Sequence, residues 1–215
     1  KEKINSIPTI GGTKQFDIEK IRLLKPELII ANKEENEKEQ IEALKKEFMV
    51  LVTDVKNLED NYKMIEKIGK LTKTENIAKE IIHQTKLNFE EFKINLSHLQ
   101  SLPINLGTLY LIWRKPYMTI GKDTFIHSML ESIGLKNMFG HQTRYPIIHN
   151  FQTSYFSNCK LVLLSSEPYP FTEKHIREIQ QQLPHVKIVL VYGEYFSWYG
   201  SKIKDAPAYF TSLLK

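Results

Sequence analysis

The chain has 215 residues, 41% of them hydrophobic and 26% charged, enough apolar side chains for one large domain or two small ones. Its net charge of +5 comes from lysines interleaved with glutamates, as in Lys33-Glu34-Glu35-Asn36-Glu37-Lys38-Glu39, the pattern of a solvated helix face; with no recognition-helix or RNA-binding motif, nucleic acid is excluded as the expected partner. The longest apolar runs, Leu161 to Leu164 and Ile188 to Val191, are too short to cross a bilayer, and a single cysteine, Cys159, excludes an intrachain disulfide and is expected as a buried, small apolar residue.

The first predicted helix runs from Ile18 to Leu24, with Asp17 as N-cap, Glu19 in the first turn, and Lys25-Pro26 as its stop. Leu28 to Ala31 then reads as a short buried strand. Glu37 to Phe48 is amphipathic, with Ile41, Leu44 and Phe48 on one face, and Met49 to Val52 is a second strand. Leu58 to Leu71 is helical again, carrying Tyr62, Ile65 and Ile68 along one stripe. From Thr74 to about Leu99 the chain contains neither Gly nor Pro, and Ile77, Ile81, Leu87, Phe92 and Leu96 keep an approximately helical spacing. A helix of that length spans roughly 40 Å, more than one small lobe needs, and suits a strut between two.

After Pro103 the rhythm returns. Leu109 to Trp113, Leu161 to Leu164 and Ile188 to Val191 read as strands; Thr124 to Ile133, Thr172 to Leu183 and Ala206 to Leu214 read as helices, the first of them ended by Gly134. The expected fold class is therefore α/β: two βαβ-type lobes with parallel sheets, joined by one long backbone helix. The expected layout is an N-terminal lobe over 1–73, the helix over 74–100, and a C-terminal lobe over 101–215.

Ligands of open α/β sheets sit beyond the carboxyl ends of the strands. Three segments at such positions are rich in aromatic and polar groups: Trp113 to Tyr117, Ser165 to Phe171, and Tyr192 to Gly200. Flat rings with a few placed polar groups suit a large, flat ligand, and Arg114 with Lys115 could meet its carboxylates or phosphate. Rings that merely cap the sheet and fill its core are the plainer alternative.

Enzyme signatures are absent: there is no Gly-x-Ser-x-Gly, no Walker loop and no dinucleotide fingerprint. The seven histidines show no close metal-ligand spacing, so neither a resident metal nor a cofactor is expected. A convergence of His141, His149 and Glu167 into a direct zinc or manganese receptor stays open as an alternative, and so does acid–base work by Glu167 and Glu194.

Gly11-Gly12-Thr13, Phe16-Asp17-Ile18-Glu19-Lys20-Ile21 and Leu24-Lys25-Pro26-Glu27-Leu28-Ile29-Ile30-Ala31 together resemble the first lobe of periplasmic binding proteins of the cobalamin and iron-chelate class. The run from Thr119 through Gly121-Lys122-Asp123-Thr124-Phe125 to Ile133-Gly134-Leu135-Lys136-Asn137 is similar to a pattern in their second lobe. Ser166-Glu167-Pro168 and Phe196-Ser197-Trp198-Tyr199 resemble the corrinoid-binding branch.

The resemblance implies a non-enzymatic, exported receptor, periplasmic or attached to the cell surface. Such a receptor captures a metal chelate in the cleft between two lobes joined by a long helix and delivers it to the permease subunits of an ABC transporter. It implies that Trp113, Arg114, Tyr169, Phe171, Phe196, Trp198 and Tyr199 line the second-lobe side. Glu19, and Glu173 on the other lobe, stand where permease arginines would be met. A corrinoid ranks first as ligand. Haem would want a Tyr or His ligand, for which Tyr117, Tyr169, Tyr195 and Tyr199 leave room; a ferric siderophore would favour clustered Arg and Lys. A relative of the fold that binds another protein through the same rings is a further alternative. Against the resemblance two departures are expected: a start inside the first lobe, after the usual first strand and following loop, and Glu27 where relatives mostly have Asp.

Overall fold

The computed structural model describes residues 7–98, 106–151 and 154–214. The chain divides into two compact units, Lys1–Asp54 and Val55–Lys215.

In the smaller unit, Asp17 caps helix α1 (Ile18–Leu24) by accepting from the Lys20 amide at 2.9 Å, and Lys25 ends it in a left-handed conformation, φ 46°, ahead of Pro26. Strand β1 (Ile29–Asn32), helix α2 (Lys38–Leu44) and strand β2 (Val50–Thr53) follow. β1 and β2 pair in parallel, Ile29 opposite Val50, across the helical crossover that a parallel pair requires. Ile21, Ala31, Ile41, Leu44 and Leu51 form the buried centre. α2 is shorter than the predicted Glu37–Phe48, because the chain turns away at Lys45.

The larger unit begins with α3 (Leu58–Leu71), capped by Asn57, and α4 (Glu75–His98). The division of the chain precedes the boundary expected at residue 73, because α3 packs along α4. The long helix, expected as a strut, is built into this unit: Phe89 and Phe92 are buried in its core, each contributing roughly 2–3 kcal/mol of hydrophobic stabilisation. Residues 99–105, where the expected boundary at 100 falls, lie outside the described residues.

Then come β3 (Leu106–Leu111), β4 (Tyr117–Met118), α5 (Phe125–Ser132), β5 (Leu135–Asn137), β6 (Ile147–Ile148), β7 (Leu161–Ser165), α6 (Glu173–Gln182), β8 (Lys187–Val191), the single turn α7 (Glu194–Ser197) and α8 (Ala206–Leu213). Strands β5, β3, β7 and β8 lie in that order, all parallel, with Leu111 opposite Leu164 and Ser165 opposite Val191. Alternation along them sends Tyr110, Leu161, Leu163 and Val191 to one face, against α4, α5 and α8. Leu109, Leu111, Val162 and Leu164 go to the other, against Ile179 of α6 and Phe139, Phe151 and Phe156. Every residue of β7 is buried, as a central parallel strand covered on both faces should be. Cys159 is buried in the second of these clusters as expected, and burial pushes its thiol up to about 11, so it is not a reactive thiolate at neutral pH. The fold class is thus the α/β one expected, with parallel strands in both units and one long helix.

Candidate functional site

Because the four strands are parallel, the chain leaves β3, β7 and β8 at one end of the sheet, and those exits are the three aromatic segments singled out in the sequence.

β3 stops at Leu111, two residues before Trp113. Trp113 forms an isolated antiparallel bridge with Met118, its carbonyl accepting from the Met118 amide at 3.1 Å. Its ring is 41% exposed and meets Tyr169 edge-on, centroids 5.8 Å apart. Tyr169 in turn packs on Phe171 at 4.8 Å and reaches His175 Nε2 with its hydroxyl at 3.1 Å. His175 closes the start of α6: its Nδ1 accepts from the Thr172 amide at 2.9 Å, so the neutral ring carries its proton on Nε2 and donates it to Tyr169. Burial, reinforced by Arg114, lowers the His175 pKa.

Arg114 is partly buried and turned to a helix of its own unit. Its guanidinium forks onto Glu178 of α6 at 2.7 Å and 3.2 Å, and the Tyr117 hydroxyl donates to the same carboxylate at 2.7 Å. The guanidinium, helped by Tyr117, holds the Glu178 carboxyl below its ordinary range, and burial with Glu178 alongside pushes the Tyr117 phenol up to about 12. Arg114, expected to meet a ligand anion, is thus ion-paired within the fold to Glu178. Lys115 stays exposed.

The exits of β7 and β8 are laced together. Ser165 Oγ accepts from the buried Tyr110 hydroxyl at 3.1 Å and donates to Glu167 O at 2.6 Å, while the Gly193 amide donates to Ser166 Oγ at 3.0 Å. Glu167 Oε1 accepts from the indole Nε1 of Trp198 at 2.6 Å and lies 2.9 Å from Ser197 Oγ. Gly193 is required by close approach: a Cβ there would stand 2.4 Å from Ser165 Oγ and 2.7 Å from Glu167 Cγ.

The turn α7 points Phe196 inward, fully buried against Tyr110 and Phe210 at 5.1 Å and 4.9 Å. Trp198 is left outward and 52% exposed. Phe171 is likewise a core residue. Phe171 and Phe196 are thus corrected from ligand-lining rings to the floor beneath them. Tyr199 is half-buried, edge-on to Phe125 at 5.5 Å. Tyr192 belongs to the third aromatic segment but was not among the residues expected to line the ligand. It directly follows β8, is 64% exposed, and borders the Tyr195–Tyr209 stack at 4.3 Å; its place one step beyond the last strand residue was the available signal.

Glu19, in the first turn of α1, is exposed and ion-paired with Arg22, which also holds Glu47 at 2.5 Å. Glu173 opens α6 and is exposed. His141 rests against Phe139 and Tyr155. Among the described residues no group of three His, Cys, Asp or Glu side chains could hold a metal ion, and no helix is long and apolar enough to cross a membrane. A groove of about 380 Å³ lined by α3 and α4, including Lys70, Lys79 and Ile82, contains none of the predicted site residues.

The family model described as periplasmic binding protein matches residues 1–159. No curated protein matches the chain by sequence. Among solved structures, the chain is similar to a possible iron-binding, periplasmic solute-binding protein from Staphylococcus epidermidis, at 20% identity and TM-score 0.74 over 94% of this chain and 82% of that one. It is similar to the periplasmic vitamin B12 binding protein BtuF of Vibrio cholerae, at 16% identity and TM-score 0.78 over 98% of this chain and 82% of that one. A periplasmic heme binding protein from Pseudomonas aeruginosa matches at 14% identity and TM-score 0.80, over 99% of this chain and 80% of that one. At these identities the likeness establishes the fold.

Proposed function

The chain belongs to the periplasmic binding protein family and is not an enzyme, and on that premise we propose that it captures a metal chelate, a corrinoid before haem or a ferric siderophore, and delivers it to the permease of an ABC transporter. Capture takes place outside the cytoplasmic membrane. The observation that carries this reading is the set of exposed rings, Trp113, Tyr192 and Trp198, raised on a packed floor where three parallel strands end. Exposed rings on such a floor offer an apolar surface to a large, flat ligand.

The polar groups support the order of ligands. With Arg114 committed to Glu178, the Arg–Lys pair that would suit an anionic siderophore is reduced to Lys115. The hydroxyls of Tyr117 and Tyr169, two of the phenols that could have served a haem iron, are engaged by Glu178 and His175. A corrinoid, flat and rimmed by neutral carboxamides, asks for neither. Exposed Glu19 and Glu173 are the proposed contacts for permease arginines.

The test is equilibrium dialysis of the purified chain against cyanocobalamin, hemin and a ferric siderophore in parallel. Saturable one-to-one uptake of cyanocobalamin is the expected result. Uptake of one of the other two instead keeps transport and changes the ligand. No uptake of any chelate, together with stable self-association or capture of a partner protein, contradicts the proposal and favours an interaction module of the same fold.

A further inference from the structure

Glu167 stands two residues beyond the end of β7, among the exposed rings. Its two oxygens differ. Oε1 is engaged by Trp198 Nε1 at 2.6 Å and by Ser197 Oγ at 2.9 Å, whereas Oε2 has no hydrogen-bond partner among the described residues. Nor is Glu167 in an ion pair with any Lys, Arg or His there. The side chain is half-buried and confined, since its Cγ lies 2.7 Å from where a Cβ on Gly193 would stand.

A carboxylate so held presents one open acceptor beside an exposed indole. It strengthens contact with an N–H donor, because hydrogen bonds to a charged acceptor are about twice as strong as neutral ones. It opposes a second carboxylate at the same place through like-charge repulsion, and that opposition is selective in effect.

We infer that Glu167 is a specificity-determining residue, whose Oε2 selects chelates that present a carboxamide N–H to it over those that present a carboxylate, while its Oε1 positions the Trp198 ring. This rests on the chelate-binding reading above. The division of labour between its two oxygens carries this role.

The experiment compares two ligands with the same macrocycle: cyanocobalamin, and its monocarboxylates in which one peripheral carboxamide is hydrolysed, each isomer taken separately. Binding is measured by isothermal titration. The intact chain is expected to bind cyanocobalamin about tenfold or more tightly than at least one isomer, the scale of one hydrogen bond to a charged group. In Glu167→Gln, which keeps the shape and an acceptor for the indole, that ratio falls towards one. A second measurement needs no variant: in the intact chain the ratio shrinks in 0.5 M salt, because part of the discrimination is charge repulsion.

Equal binding of all isomers by the intact chain overturns the inference. So does a ratio that neither Glu167→Gln nor salt alters. Both outcomes leave the chelate reading standing. Failure of the intact chain to bind any corrinoid is a different result; it removes the corrinoid reading and this inference with it.

Discussion

Trp113 and Trp198 leave the same end of one sheet and are similarly exposed, at 41% and 52%, yet they are held in opposite ways. Trp113 is held by carbon: its ring leans edge-on against Tyr169, and the loop beneath is pinned by the Arg114–Glu178–Tyr117 cluster. Trp198 is held by a polar clasp, Glu167 accepting from the indole nitrogen, two residues after Phe196, which packs on Tyr110 and Phe210. A ring held by packing can tilt as its neighbours shift, whereas a ring held by one short hydrogen bond to a confined carboxylate has a fixed edge and a free face. The Trp198 corner is therefore the pre-organised one, and the Trp113 corner is the one that adjusts.

The largest expected effect comes from removing the floor of the second corner. Phe196→Ala opens a cavity under Tyr110 and Phe210 and costs roughly 4 kcal/mol, read by chemical denaturation. A cost below about 1 kcal/mol would contradict the tight packing of Phe196 between Tyr110 and Phe210. Next is Gly193→Ala, whose methyl collides with Ser165 and Glu167. It should cost about 2 kcal/mol and loosen the clasp, seen as a red shift of Trp198 emission in a Trp113→Phe background. The first corner is loosened by Glu178→Gln, which halves the fork to Arg114 and should cost about 1.5 kcal/mol while leaving that Trp198 emission unmoved. A shift of Trp198 in Glu178→Gln would show the corners to be coupled and break the comparison.

The smallest effect is pH-dependent and confined to the first corner. The folded pKa of His175 is lowered, by burial and then by Arg114, so the unfolded chain binds the proton more readily. The contribution of the neutral ring is complete above about 6.5 and is lost as pH falls from there towards the lower folded value. Stability should thus decline across that window, and the decline should vanish in His175→Gln; an identical decline in the variant would assign it to other groups.

Much of the scaffold was legible because its signals are local. Asp17 and Lys25-Pro26 bound α1, and Thr124 and Gly134 bracket α5, where Gly134 adopts φ 78°. The pairing of β4 with β6 was not legible. It joins two-residue segments about thirty residues apart, too short to show any period. The aromatic loops were found as segments, since they follow strands, but the facing of single rings was not. Phe196 and Trp198 differ only through the turn α7, which rotates one inward and leaves the other out. The pairing of Arg114 with Glu178 was not legible either, because the two lie 64 residues apart, beyond any local pattern.

The most direct test of the central claim is the chelate affinity of Trp198→Ala, set beside Trp113→Ala and the unaltered chain by isothermal titration, with thermal melts to verify folding. The account predicts that Trp198→Ala melts normally and binds its chelate about thirtyfold more weakly or worse, with Trp113→Ala less affected. A folded Trp198→Ala that keeps full affinity would contradict it.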